Sequence, residues 1–138
     1  MRREEDLERQ AHWAKYISVL TSGYLEQSLK EVLLDHSSRT ASPRVARYVE
    51  QSWSNSRNMN TEAICTLLGR FDGNWRASFE AWLIEDEKRK GCINAVVDSR
   101  NKIAHGEESN TTGVTMHTVS ERFQCACGLV DLVEELAG

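Results

Sequence analysis

In the stretch VVDSRNKIAHGEES, residues 96–109, Arg100, Asn101 and His105 fall just before Gly106. At about 100° per residue Asn101 and His105 share a helix face, and Arg100 lies about 140° from His105, a gap that a long guanidinium side chain can cross. Val96, Val97, Ile103 and Ala104 hold the helix to a core, so the trio projects from an anchored element. Such groups suit the cleavage of RNA without a metal. A neutral imidazole can take the proton from a ribose 2′-hydroxyl, while a fixed guanidinium stabilises the charge that builds on the non-bridging phosphate oxygens. The products are a 2′,3′-cyclic phosphate and a 5′-hydroxyl. Histidine fits this task because its unperturbed pKa, about 6.5, keeps both protonation states available near neutrality. Taken without context, the same residues also make an ordinary helix C-terminus whose cations favour the helix dipole.

Concerted cleavage needs an acid and a base, and the stretch supplies one histidine. A two-fold dimer that juxtaposes two copies of the helix supplies the second imidazole, so the sequence argues for a composite site in a homodimer.

The elements that must position these groups are read from apolar spacing, which is helical nearly throughout and interrupted by a single proline. The expected fold is all-α. A first helix spans about residues 4–36, with Leu7, Ala14, Ile17, Leu20, Leu25, Leu29, Val32 and Leu33 along its stripe and a bend expected at Gly23. Ser42 and Pro43 open a second helix carrying Val45, Tyr48, Val49 and Trp53. After the polar loop SNSRNMN, Thr61 caps a third with Ile64, Leu67 and Leu68, which Gly69 and the Asp72-Gly73 turn close. Trp75, Phe79, Trp82 and Leu83 mark a fourth, and the charged run EDEKRKG reads as a solvated face or turn before the helix of Ile93, Val96, Val97, Ile103 and Ala104. Residues 107–117 form a polar loop. Thr118 and Glu121 make a capping box for a last helix that buries Phe123, Cys127, Val130, Val133 and Leu136.

Composition sets outer limits. The 138 residues, 40% hydrophobic and 28% charged, fit one globular domain over 1–138, and no run approaches a membrane span. The charged start MRREEDLERQ lacks the apolar stretch of a secretory signal, so a cytoplasmic chain is expected. Cys65, Cys92, Cys125 and Cys127 then read as reduced, mostly buried thiols. Cys125 and Cys127 are two apart and point about 200° apart on a helix, so they do not share a metal ion. A net charge of −4 excludes a basic coat for polyanions, and any such site must be local. Arg39, Arg44 and Arg47 form one modest basic cluster able to guide RNA. His12, His36 and His117 read as surface or helix-end residues, His117 being the best placed of them near the loop after His105. The four tryptophans fit bundle packing, with Trp53 the most exposed.

The segment Arg100-Asn101-Lys102-Ile103-Ala104-His105 resembles the R-x4-6-H motif of the HEPN domain superfamily, in its RN-x3-H form. The length, the helical pattern and a long first helix with aromatics near its start (Trp13, Tyr16) are similar too. SPRVARYVEQ and FDGNWRASFEAWL resemble the bacterial subgroup RiboL-PSP-HEPN. The resemblance implies a HEPN-like bundle of four to six helices, a homodimer with two facing motifs, and metal-independent endoribonuclease activity without a cofactor, often in toxin–antitoxin, phage-defence or RNA-processing systems. It makes Arg100 the binder of phosphate and transition state, His105 the acid or base, and Asn101 the residue that orients one of them; Lys102, a cation in the same run, reads as a further RNA contact. HEPN toxins restrained by a nucleotidyltransferase carry a tyrosine two residues after the histidine. Here that position is Glu107, which excludes tyrosine adenylylation there and disfavours that class of antitoxin. The alternatives are a non-catalytic HEPN module that binds RNA or a nucleotide, and a purely structural dimerisation domain.

Overall fold

The computed structural model describes residues 2–53, 58–104 and 115–138, with backbone alone at 2 and 99–104. Among these residues there are six helices and no strand: α1 Arg2–Thr40, α2 Pro43–Ser52, α3 Thr61–Phe71, α4 Gly73–Glu85, α5 Lys88–Ala104 and α6 Met116–Ala137. None is long and apolar enough to cross a membrane. The all-α expectation holds.

Helix α1 runs one turn past its expected end, through Thr40. Its hydroxyl residues do not break it, because Thr40 Oγ1 donates to the His36 carbonyl at 2.7 Å and Ala41 N–H to that of Ser37 at 2.9 Å. The helix also continues through the exposed Gly23. Its buried face differs from the apolar stripe read in the sequence. Ala14, Ser18, Thr21, Ser22, Leu25, Leu29, Leu33 and Ser37 are buried, whereas Leu7 and Leu20 are 58% and 52% exposed. Ser18 Oγ and Thr21 Oγ1 donate to the carbonyls of Ala14 and Ile17, four residues back, so these small hydroxyl residues enter the interior with their polarity satisfied.

Ser42 caps α2 as expected, accepting from Val45 N–H, with Pro43 in the first turn. No residue of α2 itself is buried, and its C-cap Trp53, expected to be the most exposed tryptophan, belongs to the core. Trp13 is the exposed one, at 58%. The cap of α3 is Asn60 rather than Thr61: Asn60 Oδ1 accepts from Ala63 N–H at 2.8 Å, while the Thr61 N–H donates to Asn94 Oδ1 of α5 at 2.9 Å and ties the two helices together. Gly69 stays within α3. Asp72 closes that helix and caps α4 through Asn74 N–H.

The run EDEKRKG divides. A turn at Asp86 and Glu87 separates α4 from α5, with Asp86 Oδ1 accepting from Lys88 N–H, and the basic part starts α5. Arg89 lies over the Trp82 ring at 4.5 Å and donates to the Trp82 carbonyl at 2.9 Å, which locks this corner. Thr115 replaces Thr118 as the cap of α6, accepting from Thr118 N–H. Phe123, expected inside, is 44% exposed; Val119, Ala126, Leu129, Val130 and Val133 form the buried side.

The core gathers Leu25, Leu29 and Leu33 of α1, Ile64 and Leu68 of α3, Phe79 of α4, Ile93 of α5 and Leu129 and Val133 of α6. Two contacts fix α6 parallel to α1: Tyr24 on Phe123, and His36 Nδ1 on the Ala137 carbonyl. Helix α5 touches both. Its start lies at the level of Cys125, whose Sγ approaches the Arg89 carbonyl, and Asn94 beyond it meets Thr61 at the start of α3, the helix whose other end places Phe71 by His36 of α1. Thus α5 runs antiparallel to α1 and α6, and ends near the first third of α1.

Candidate active site at the end of α5

The stripe that holds α5 to its neighbours is Ile93, Val96 and Val97, all buried. Positions 100 and 101 stand four residues after Val96 and Val97 on the same helical backbone. Arg100, Asn101 and Lys102 therefore ride on regular helix, as expected; His105 lies outside the described residues, as do Gly106 and Glu107. By the register of the helices, the end of α5 is level with Ala14 and Ser18 of α1 and with the first turn of α6.

An unusual surface lies at this end of the bundle. Trp13, Tyr16, Leu20 and Tyr24 recur at helical spacing on α1 and are all exposed, and Met116 and Phe123 of α6 are exposed as well. Trp13 meets Tyr16 edge to face at 5.9 Å, and Tyr24 meets Phe123 at 5.7 Å. Large apolar side chains grouped in this way on a folded surface are the mark of an interaction face. The sequence signal was a second apolar run on α1, interleaved with the first, of which the stripe read from the sequence took in only Leu20.

Arg39, Arg44 and Arg47 sit elsewhere. Arg39 is bound to Asp35 at 2.8 Å and to the Ala137 carbonyl at 3.2 Å, near the C-terminal end of α1, and Arg44 and Arg47 are exposed on α2. Some twenty residues of α1 separate that end from the level of positions 100 and 101, about 30 Å at a rise of about 1.5 Å per residue. Within one chain the fold does not bring the basic cluster to the motif.

The other candidate groups have local roles. His36 is half-buried, its Nδ1 donating to the Ala137 carbonyl at 2.8 Å and its ring 4.8 Å from Trp75. His12 is exposed, and His117 faces Glu121 at 3.2 Å on the surface of α6. All four cysteines are half-buried rather than mostly buried. Burial, and then the neighbouring Cys92, push the Cys125 thiol up to about 11, so at neutral pH it is a protonated, unreactive thiol. Cys127 instead meets α1: burial first, and then its thiol, raise the Tyr24 hydroxyl. The two cysteines thus turn to different helices, as their spacing demands. Among the described residues no group of three histidine, cysteine, aspartate or glutamate side chains is placed to hold a metal.

An all-α bundle whose α5 ends in Arg100-Asn101-Lys102-Ile103-Ala104, with His105 next in the sequence, is of the HEPN class. The particular family follows from comparison with family models: residues 2–137 match RiboL-PSP-HEPN, and the chain belongs to that family. No curated protein and no solved structure matches it.

Proposed function

We propose that this protein is a metal-independent endoribonuclease that cleaves RNA through attack of the ribose 2′-hydroxyl on the adjacent phosphate. The observation that carries this reading is the RN-x3-H segment at the end of α5 in a chain of a HEPN family. Arg100 binds the scissile phosphate and its transition state, His105 moves the proton, and Asn101 orients one of the two, with Lys102 adding charge beside them. A homodimer supplies the second histidine. The exposed face of Trp13, Tyr16, Leu20 and Tyr24 supports this, since a second copy seated there buries it at the end of the bundle where α5 stops. With no base-reading module recognisable in the sequence, selectivity rests on the cleft and the shape of the RNA. Such an activity suits a cytoplasmic toxin or defence effector, held in check by a cognate partner of a class other than a tyrosine-modifying nucleotidyltransferase.

The test is to incubate single-stranded RNA with the protein in excess EDTA and to sediment the same sample. Cleavage is expected to survive chelation, and the active species to sediment at twice the chain mass of 15.7 kDa. RNA binding without cleavage supports a non-catalytic module instead, and a fully active monomer contradicts the composite site.

A further inference from the structure

At the opposite end of the bundle, between the last turns of α1, helix α2 and the end of α3, lies an open cleft of about 500 Å³. That is within the usual size of a small-molecule site, roughly 300–1,000 Å³. Four features of its lining point to one kind of ligand.

Ser37 lines it at 4% exposure, and its hydroxyl has no hydrogen bond among the described residues, unlike those of Ser18 and Thr21 on the same helix. A buried hydroxyl without a partner is a group waiting for one. His36 also lines the cleft. Because a carbonyl can only accept, its Nδ1 carries the proton shared with Ala137, which leaves Nε2 as the ring's other hydrogen-bonding nitrogen. Arg70 is exposed there with no carboxylate partner among the described residues, and the lining contains no aspartate or glutamate in a chain of net charge −4. Finally, the amphipathic α2 leaves its apolar side uncovered along the cleft: Val45 is 52% and Tyr48 73% exposed, near Phe71 of α3.

We infer that this cleft binds a small planar aromatic anion, with its ring against Tyr48 and Phe71 and its charged group on Arg70. A nucleoside monophosphate and an aromatic carboxylate share this chemistry. The lack of acidic lining favours an anion, the Arg70 guanidinium, without a carboxylate partner among the described residues, supplies its counter-charge, and the Ser37 hydroxyl and the His36 ring complete the polar contacts. The site is about 30 Å along the bundle from positions 100 and 101 and stands independently of the ribonuclease reading.

Calorimetric titration of the full chain tests it with two anionic probes, adenosine 5′-monophosphate and 4-hydroxybenzoate, and with adenosine as a neutral control. At least one anion is expected to bind with a submillimolar Kd. Arg70→Ala should weaken it about tenfold or more, the usual worth of a charge-assisted hydrogen bond, and Tyr48→Ala should weaken it as well. Both are exposed positions that the fold tolerates, which circular dichroism checks. Binding of the nucleotide alone or of the carboxylate alone assigns the source, and either supports the site, as does binding of both. The inference is overturned if neither anion binds, if adenosine binds as tightly as its monophosphate where that is the anion bound, or if Arg70→Ala binds as tightly as the parent. Binding lost on Arg100→Ala but kept on Arg70→Ala also overturns it, by placing the anion at the end of α5.

Discussion

His105→Ala is expected to lower RNA cleavage by roughly 10²–10⁴-fold, the usual worth of a general acid–base group, while the protein stays folded. The substitution removes the proton-transfer group and alters none of the described core residues. Arg100→Ala should reduce cleavage too, and weaken RNA binding more than the histidine change does, because a guanidinium contacts phosphate in both the ground and the transition state. Arg100→Lys should restore little, since an ammonium lacks the planar pair of donors. The control is His12→Ala on exposed α1, which should leave the rate unchanged. Gel assays of each variant at equal folded concentration separate these outcomes, and a wild-type rate from folded His105→Ala protein would return the segment to an ordinary helix end.

The largest effect on stability is expected at Phe79. Its side chain is fully buried, stacks near-parallel on Trp82 at 6.0 Å and sits in the cluster that joins α1, α3, α4, α5 and α6. Truncation to alanine removes the ring and leaves a cavity that helices on several sides cannot all close, at a cost of about 3–5 kcal/mol. Chemical denaturation should show a lower midpoint with an unchanged slope. Ile84→Ala, about a turn and a half further on α4 but 79% exposed, should cost far less, and comparable losses from the two would mean that α4 is packed otherwise.

Much of the fold was legible because apolar residues at a spacing of three and four name a helix and its inward face. Where the reading went astray, the cause was specific. Ser18, Ser37 and Thr21 are buried, and a hydrophobic stripe cannot announce hydroxyl residues that satisfy themselves on their own helix or wait for a partner. Asn60 and Thr115 took the caps assigned to Thr61 and Thr118, since several cap-forming residues stood side by side and the choice among them depends on the direction of the incoming chain. Trp53 and Trp13 exchanged places for a similar reason: what covers a tryptophan belongs to another helix.

The candidate site divides along the same line. Residue types and spacing are what suggest the proposed chemistry of Arg100, Asn101 and His105, and the first two stand on helical backbone. The separation of Arg39, Arg44 and Arg47 from that end was hidden, because the register between α1, α5 and α6 is set by contacts such as Tyr24 on Phe123 and His36 on Ala137, which join residues about a hundred positions apart. The cleft beside Arg70 was hidden too, being assembled from three helices that each look ordinary alone.

The central claim is that the ribose itself is the nucleophile, and the chemistry of the cut ends tests it most directly. Mass spectrometry of an oligoribonucleotide cleaved in EDTA should find a 2′,3′-cyclic phosphate, or the 3′-phosphate to which it opens, opposite a 5′-hydroxyl, and a 2′-O-methyl at the scissile nucleotide should abolish the cut. A 5′-phosphate with a free 3′-hydroxyl, or undiminished cleavage of the 2′-O-methyl substrate, would show that water is the attacking group and would contradict the account.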